Sequence, residues 1–206
     1  MIPRRQLSKN WNRQGARLTR LIFERHLKHN KNVVPPEELE KGRSLGRWMA
    51  EHGIKIDAAH SSPAGRCLLT ILAVLEGAGK MVDVITEALL VPFANEPGID
   101  VDALKAKAKE MGVEAEEAIF DPSLGLQTIL NRRKVETAKC LRDIAAQHPG
   151  QTVLVCSHGG SRMEIGLDGL LHPDTPATKP DRFVERGSFV EVIFEDNGEI
   201  RINWDH

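Results

Sequence analysis

In LIFERHLKHNKN, residues 21–32, a short apolar run ends in Arg25 and His26, and His29 follows three residues later. A second apolar run, VLVC, leads into SHGGS, where Gly159 and Gly160 follow His158. An imidazole that is neutral near pH 7 is a nucleophile, an acid–base group or a metal ligand. Paired glycines let the backbone approach an anion at the start of a helix, whose N–H groups and dipole favour negative charge. If both apolar runs are strands of one parallel sheet, right-handed crossovers bring His26 and His158 out at the same carboxyl edge, where open α/β sheets hold ligands. Arg66, in the first turn of a helix after SSP, projects over that edge too. Together Arg25, Arg66, His26 and His158 make a positively charged cup of phosphate size. The competing arrangement is a metal site on His26-x-x-His29 with His60 or His158. Asn30, Lys31 and the nearby prolines suggest a loop there, and no carboxylate completes a recognisable ligand set.

The elements that must position these groups are legible as alternating patterns. Residues 18–23 have strand character. In EELEKGRSLGRWMAEHG, helical spacing of Leu45, Trp48, Met49 and His52 predicts one buried face on a helix that Gly53 ends. IKIDAAHSS is a second strand, and Ser62-Pro63 predicts an N-cap and first helical position for a helix carrying Leu68, Ile71, Leu72 and Leu75. KMVDVIT is a third strand. Residues 93–125 are expected to be a helical insertion, with a Lys- and Ala-rich helix over about 101–111. A long helix marked by Leu126, Leu130, Leu141 and Ala145 precedes QTVLVCS, a buried strand. A helix carrying Met163, Leu167, Leu170 and Leu171 follows, and alternation around Asp196-Asn197-Gly198 predicts a closing β-hairpin. The expected fold is a three-layer α/β/α sandwich, its sheet mostly parallel with an antiparallel edge hairpin.

With 206 residues the chain suits one domain, expected over residues 18–206 behind a basic arm, residues 1–17. That arm holds Arg4, Arg5, Lys9, Arg13 and Arg17 and reads as a solvated tail rather than a transit peptide. Lys and Arg number 28 against 29 Asp and Glu, so whole-chain charge points to neither a nucleic-acid nor a membrane partner. No apolar run approaches the ~20 residues of a membrane span. Cys67, Cys140 and Cys156 are odd in number, widely spaced and set among apolar residues, which suits reduced core thiols of a cytoplasmic protein. The terminal hairpin either exposes an edge strand through which a homodimer can form or is itself covered.

The order and separation of several of these motifs resemble the histidine phosphatase superfamily, the phosphoglycerate mutase-like proteins, over about residues 18–195. Arg25, His26 and Asn32 match its first motif, with Leu27 in place of glycine; LEKGRSLGRWMAEHGIKIDAAHSSPAGR matches the next, and the HGG after an apolar strand the last. The resemblance implies that His26 is a nucleophile forming phosphohistidine and that Arg25, Asn32, Arg66 and Gly159 bind phosphate. It further implies that His158 donates to the phosphoryl oxygens, with neither metal nor other cofactor required. The family's general acid, a glutamate after the third strand, is matched by Glu87 in VITEALL, but the residues after it lack the mutase pattern of glycine and tryptophan. A phosphomonoester hydrolase acting on a phosphorylated small molecule or phosphoprotein is therefore expected. The alternatives are a mutase-type phosphoryl transferase and a weakened, phosphate-binding protein of the same fold.

Overall fold

Alternation of strands and helices resolves, in a computed structural model describing residues 18–30, 33–160 and 162–204, into one six-stranded sheet covered on both faces. The chain runs β1 (Thr19–Arg25), α1 (Pro36–Glu51), β2 (Ala58–Ser61), α2 (Gly65–Gly77), β3 (Val84–Thr86), α3 (Val101–Met111) and α4 (Ala115–Ala118). It continues through α5 (Gln127–Gln147), β4 (Thr152–Ser157), α6 (Met163–Leu171), β5 (Phe189–Phe194) and β6 (Ile200–Asn203). The strand order is β3-β2-β4-β1-β5-β6. Strands β1 to β4 are parallel, whereas β5 is antiparallel to β1 and to β6. The sandwich and its edge hairpin are therefore as the sequence predicts, with Gly198 at φ 84° in the hairpin turn. The basic arm and Asn32 lie outside the described residues.

Period-two alternation divides the core. Leu21, Phe23, Val153 and Val155 pack toward Leu141, Ile144 and Leu167 of α5 and α6. Ile22, Leu154 and Cys156 pack on the other face against Met49 of α1 and Ile71, Val74 and Leu75 of α2. The register Arg25↔Ser157 ends β1 and β4 side by side, so the residues that follow, His26 and His158, emerge together.

Two expectations for the first two helices require correction. Leu45, Trp48 and Met49 of α1 pack into the core as expected, but His52 is exposed, and Gly42, Gly46 and Glu38 complete the buried stripe. The reason is close backbone approach: a Cβ on Gly46 would stand 2.0 Å from the Val74 carbonyl oxygen, and one on Gly77 2.0 Å from that of Arg43. A stripe made by missing side chains is invisible to a search for apolar periodicity. Helix α2 begins at Gly65 behind Ala64, so Ser62-Pro63 does not cap it, and Leu72 faces outward at 53% exposure.

Residues 93–130 supply a third apolar cluster, in which Phe93, Leu104, Ala108, Ala118, Ile119 and Leu130 meet Ile165 and Ala177. Helix α3 spans Val101–Met111 as its composition predicts. Asp100 caps it by accepting from the N–H groups of Asp102 and Ala103, and Gly112 ends it at φ 68°. This cluster holds α4 beside the carboxyl edge of β1 and β4.

Candidate active site

Arg25 is the last residue of β1 and is almost fully buried. Its Nη1 donates to the Val184 carbonyl (2.7 Å) and its Nη2 to Glu116 Oε1 (2.9 Å). The guanidinium lies flat over Gly159, where a Cβ would come within 2.6 Å of Arg25 Cζ. Glycine at 159 thus makes room for the arginine, whatever further part it has in anion binding. Glu164, in the first turn of α6, accepts from the N–H groups of Val184 (2.7 Å) and Gly160. It therefore fixes the residue whose carbonyl holds Arg25.

His26 is also buried, and its Nδ1 lies 2.8 Å from the Leu27 carbonyl oxygen. A carbonyl only accepts, so Nδ1 carries the proton and the lone pair belongs to Nε2. Burial is the main reason its pKa falls to about 3. The Leu27 hydrogen bond opposes the fall, and the charges of Arg66, His29 and Arg25 add to it. Leu27 turns away from the cup into the space between Gly42 and Gly187, and its N–H donates to Thr70 Oγ1 at 3.0 Å. The side chain that departs from the family pattern thus becomes wall, and its N–H is already used.

His158 stands edge-on to His26, ring centroids 5.1 Å apart. Arg66 Nη2 donates to His158 Nδ1 at 3.1 Å, which leaves the proton on Nε2 to donate to Ser62 Oγ at 2.9 Å. Burial holds this imidazole well below its ordinary pKa, and the Arg66 charge reinforces the effect. Cys67 Sγ packs 3.6 Å from Nε2. The three cysteines are buried and free, as expected of core thiols.

Of the sequence-predicted groups, Arg25, His26, Arg66, His158 and Gly159 come together. Glu87 sits at the end of β3, but its carboxylate accepts from His60 Nδ1 at 2.7 Å. His60 in turn lies 2.9 Å, Nε2 to Nε2, from His148. Sequence reasoning missed Ser62, taken for a helix cap, and Glu116, whose segment no local pattern could place. Among the described residues no three His, Cys, Asp or Glu side chains form a metal-ligating group, and no helix is long and apolar enough to cross a membrane.

A mostly parallel sheet that gathers two histidines and two arginines at one carboxyl edge defines an α/β protein with a positively charged cup at that edge. The sequence profile of the histidine phosphatase superfamily (branch 1) matches residues 36–204, and the chain belongs to that family. Arg25 and His26 lie ahead of the matched stretch, so for them the sheet register is the independent support. The fold is similar to that of a phosphoglycerate mutase from Bacillus anthracis str. Sterne: TM-score 0.63, 20% identity, 92% of this chain and 93% of that one covered. YhfR of Bacillus stearothermophilus aligns with TM-score 0.68 at 17% identity, covering 89% and 95%. A phosphoserine phosphatase from Entamoeba histolytica aligns with TM-score 0.62 at 18% identity, covering 89% and 94%. The sequence matches no curated protein significantly.

Proposed function

We propose that the protein is a phosphomonoester hydrolase that works through a phosphohistidine on His26, with no metal ion needed. The observation that carries this reading is the fixed tautomer of His26: Leu27 holds the Nδ1 proton, and burial and neighbouring cations keep the ring neutral. Its Nε2 is then a ready nucleophile at neutral pH. Arg25 and Arg66 take the nonbridging phosphoryl oxygens and offset the charge that spreads over them in the transition state. As phosphate draws Arg66 off His158 Nδ1, the neutral ring shifts its one proton to Nδ1, accepts from the Ser62 hydroxyl at Nε2, and donates from Nδ1 toward the phosphoryl group. The substrate class is a phosphorylated small molecule or phosphoprotein.

The test is turnover of an aryl phosphate by wild type and His26→Ala, each with and without EDTA. Expected are activity indifferent to chelator, a fall of more than about 1,000-fold in His26→Ala, and an acid-labile, alkali-stable phosphoenzyme on rapid quenching of wild type. Loss of activity with EDTA would point to a metallohydrolase instead. Vanadate binding without turnover across a broad phosphoester panel would make the protein a binder rather than an enzyme.

A further inference from the structure

Expulsion of an alcohol from a phosphoester needs a proton donor, and hydrolysis of phosphohistidine needs a base for water. Glu87 is turned toward His60, with Oε1 on Nδ1, and has no hydrogen bond to Arg25, His26 or His158 among the described residues. Glu116 is the carboxylate that touches the cup: Oε1 is 2.9 Å from Arg25 Nη2 and 3.5 Å from Arg186 Nη2. Its side chain keeps 26% exposure, so it lies at the mouth, where a leaving group departs, and not in the floor. Its backbone is held as well, since the Glu116 carbonyl oxygen packs where a Cβ on Gly160 would stand at 2.6 Å. The apolar cluster around Ala118 and Ile119 anchors the short helix that carries it.

We propose that Glu116, on the segment between β3 and α5, is the proton-transfer carboxylate of this site. The inference rests on the phosphohistidine reading above and names the class of leaving group it serves: alkyl alcohols, which leave poorly without a proton. In the empty site Glu116 sits on Arg25 in the position of a phosphoryl oxygen. Burial pushes its pKa up, but the Arg25 and Arg186 charges more than reverse this, so the resting group is ionised. Arg66 and His29 also lie within electrostatic reach, while Glu164 faces Arg25 from α6 and Glu114 shares Arg186. When a phosphoester monoanion takes over Arg25, Glu116 loses the closer of its two cations and gains an anionic neighbour, and the substrate's proton moves to it. His26 Nε2 then forms the N–P bond as the P–O bond to the alcohol breaks, and Glu116 gives its proton to the departing oxygen. In the second half Glu116 takes a proton from water, the new O–P bond forms, and the N–P bond breaks to return the lone pair to Nε2.

The test compares wild type, Glu116→Gln and Glu87→Gln on a phosphoserine-like alkyl phosphate and on 2,4-dinitrophenyl phosphate, whose leaving group needs no proton. Single-turnover phosphorylation of His26 is followed, with vanadate affinity and melting temperature as checks on folding. Glu116→Gln is expected to slow transfer from the alkyl ester by about 100-fold or more, to change transfer from the dinitrophenyl ester less than about threefold, and to slow turnover of the phosphoenzyme. Glu87→Gln should show no such leaving-group dependence. The proposal is overturned if Glu116→Gln is faster than wild type, which would make Glu116 a mere competitor of phosphate. It also falls if the dependence appears in Glu87→Gln instead, or if Glu116→Gln binds vanadate and matches wild type on both esters. A wild type that forms no phosphohistidine from either ester refutes the phosphohistidine reading itself, which separates the two failures.

Discussion

Two pairs of histidines in this molecule have similar ring separations and opposite surroundings. His26 and His158 stand with ring centroids 5.1 Å apart at 61°, and His60 and His148 at 5.1 Å and 78°. Burial lowers the pKa of His26, His158 and His60 alike, so burial alone does not distinguish the pairs. Around His26 the Arg66 and Arg25 charges, and around His158 the Arg66 charge, push in the same direction as burial. Around His60, Glu87 pushes the other way. The second pair is also closed: His60 Nδ1 is bonded to Glu87, its Nε2 to His148, and His148 Nδ1 lies 2.9 Å from the side-chain amide of Gln151. In the first pair, Nε2 of His26 has no hydrogen bond among the described residues. A similar ring pair is thus a structural bolt where its nitrogens are satisfied by protein. On the proposed function it is a reactive centre where one nitrogen is left for a ligand and the charges nearby attract an anion.

The sharpest way to break this contrast is to remove the cation that the two pairs do not share. Arg66→Met keeps the length of the side chain but takes away both the donor to His158 Nδ1 and a positive charge beside His26. Transition-state stabilisation is expected to fall by about 100- to 1,000-fold in kcat/KM. Melting temperature should change little, because Arg66 is only partly buried. A loss of folding in step with the loss of activity would mean that Arg66 belongs to the scaffold, as Glu87 does.

The converse substitution, Glu87→Ala, acts on the bolt. It strands the His60 Nδ1–H in a fully buried position, which costs about 1–3 kcal/mol of stability. Turnover of the surviving folded enzyme should stay within about threefold of wild type, an ordinary margin for a residue that stabilises no transition state. Thermal melts together with kcat on an alkyl phosphate measure the two separately. A variant with wild-type stability and a large fall in kcat would move Glu87 from the bolt to the reactive centre.

How much of this contrast can be read in the sequence depends on the distance over which each contact acts. The strands, most helices and the convergence of His26 with His158 follow from local apolar patterns and one handedness rule. The hairpin turn at Gly198 follows from its local Asp196-Asn197-Gly198 signal. The α1–α2 contact is hidden because its determinants, Gly42, Gly46 and Gly77, act by what they lack. Ser62 has the local signature of a cap, yet a partner 96 residues away claims its hydroxyl. Glu116 meets Arg25 across 91 residues, through a segment whose placement depends on the third apolar cluster. Glu87 has the right element and the right residue type, and only the tertiary structure reveals His60 beneath it.

Glu24 sharpens the comparison from the side of the carboxylates, with the smallest expected effect. It precedes Arg25 in β1, is completely buried, and neither of its oxygens has a hydrogen-bond partner among the described residues. Glu87 has a histidine and Glu116 has two arginines; Glu24 has neither, and burial pushes its carboxyl up to about 8. Between the unfolded value of 4.5 and about 8, the unfolded chain has released a proton that the folded chain retains. Stability therefore falls as pH rises through that window and levels off above it. His26 acts in reverse: folded near 3 against 6.5 when unfolded, it costs stability as pH drops below 6.5. Glu24→Gln removes only the first dependence. Its melting temperature relative to wild type should be higher at pH 8 than at pH 5 by at least about 3 °C, with the acid-side decline unchanged. An offset equal at both pH values would show that Glu24 ionises within the fold, and that this buried carboxylate needs no cation to be tolerated.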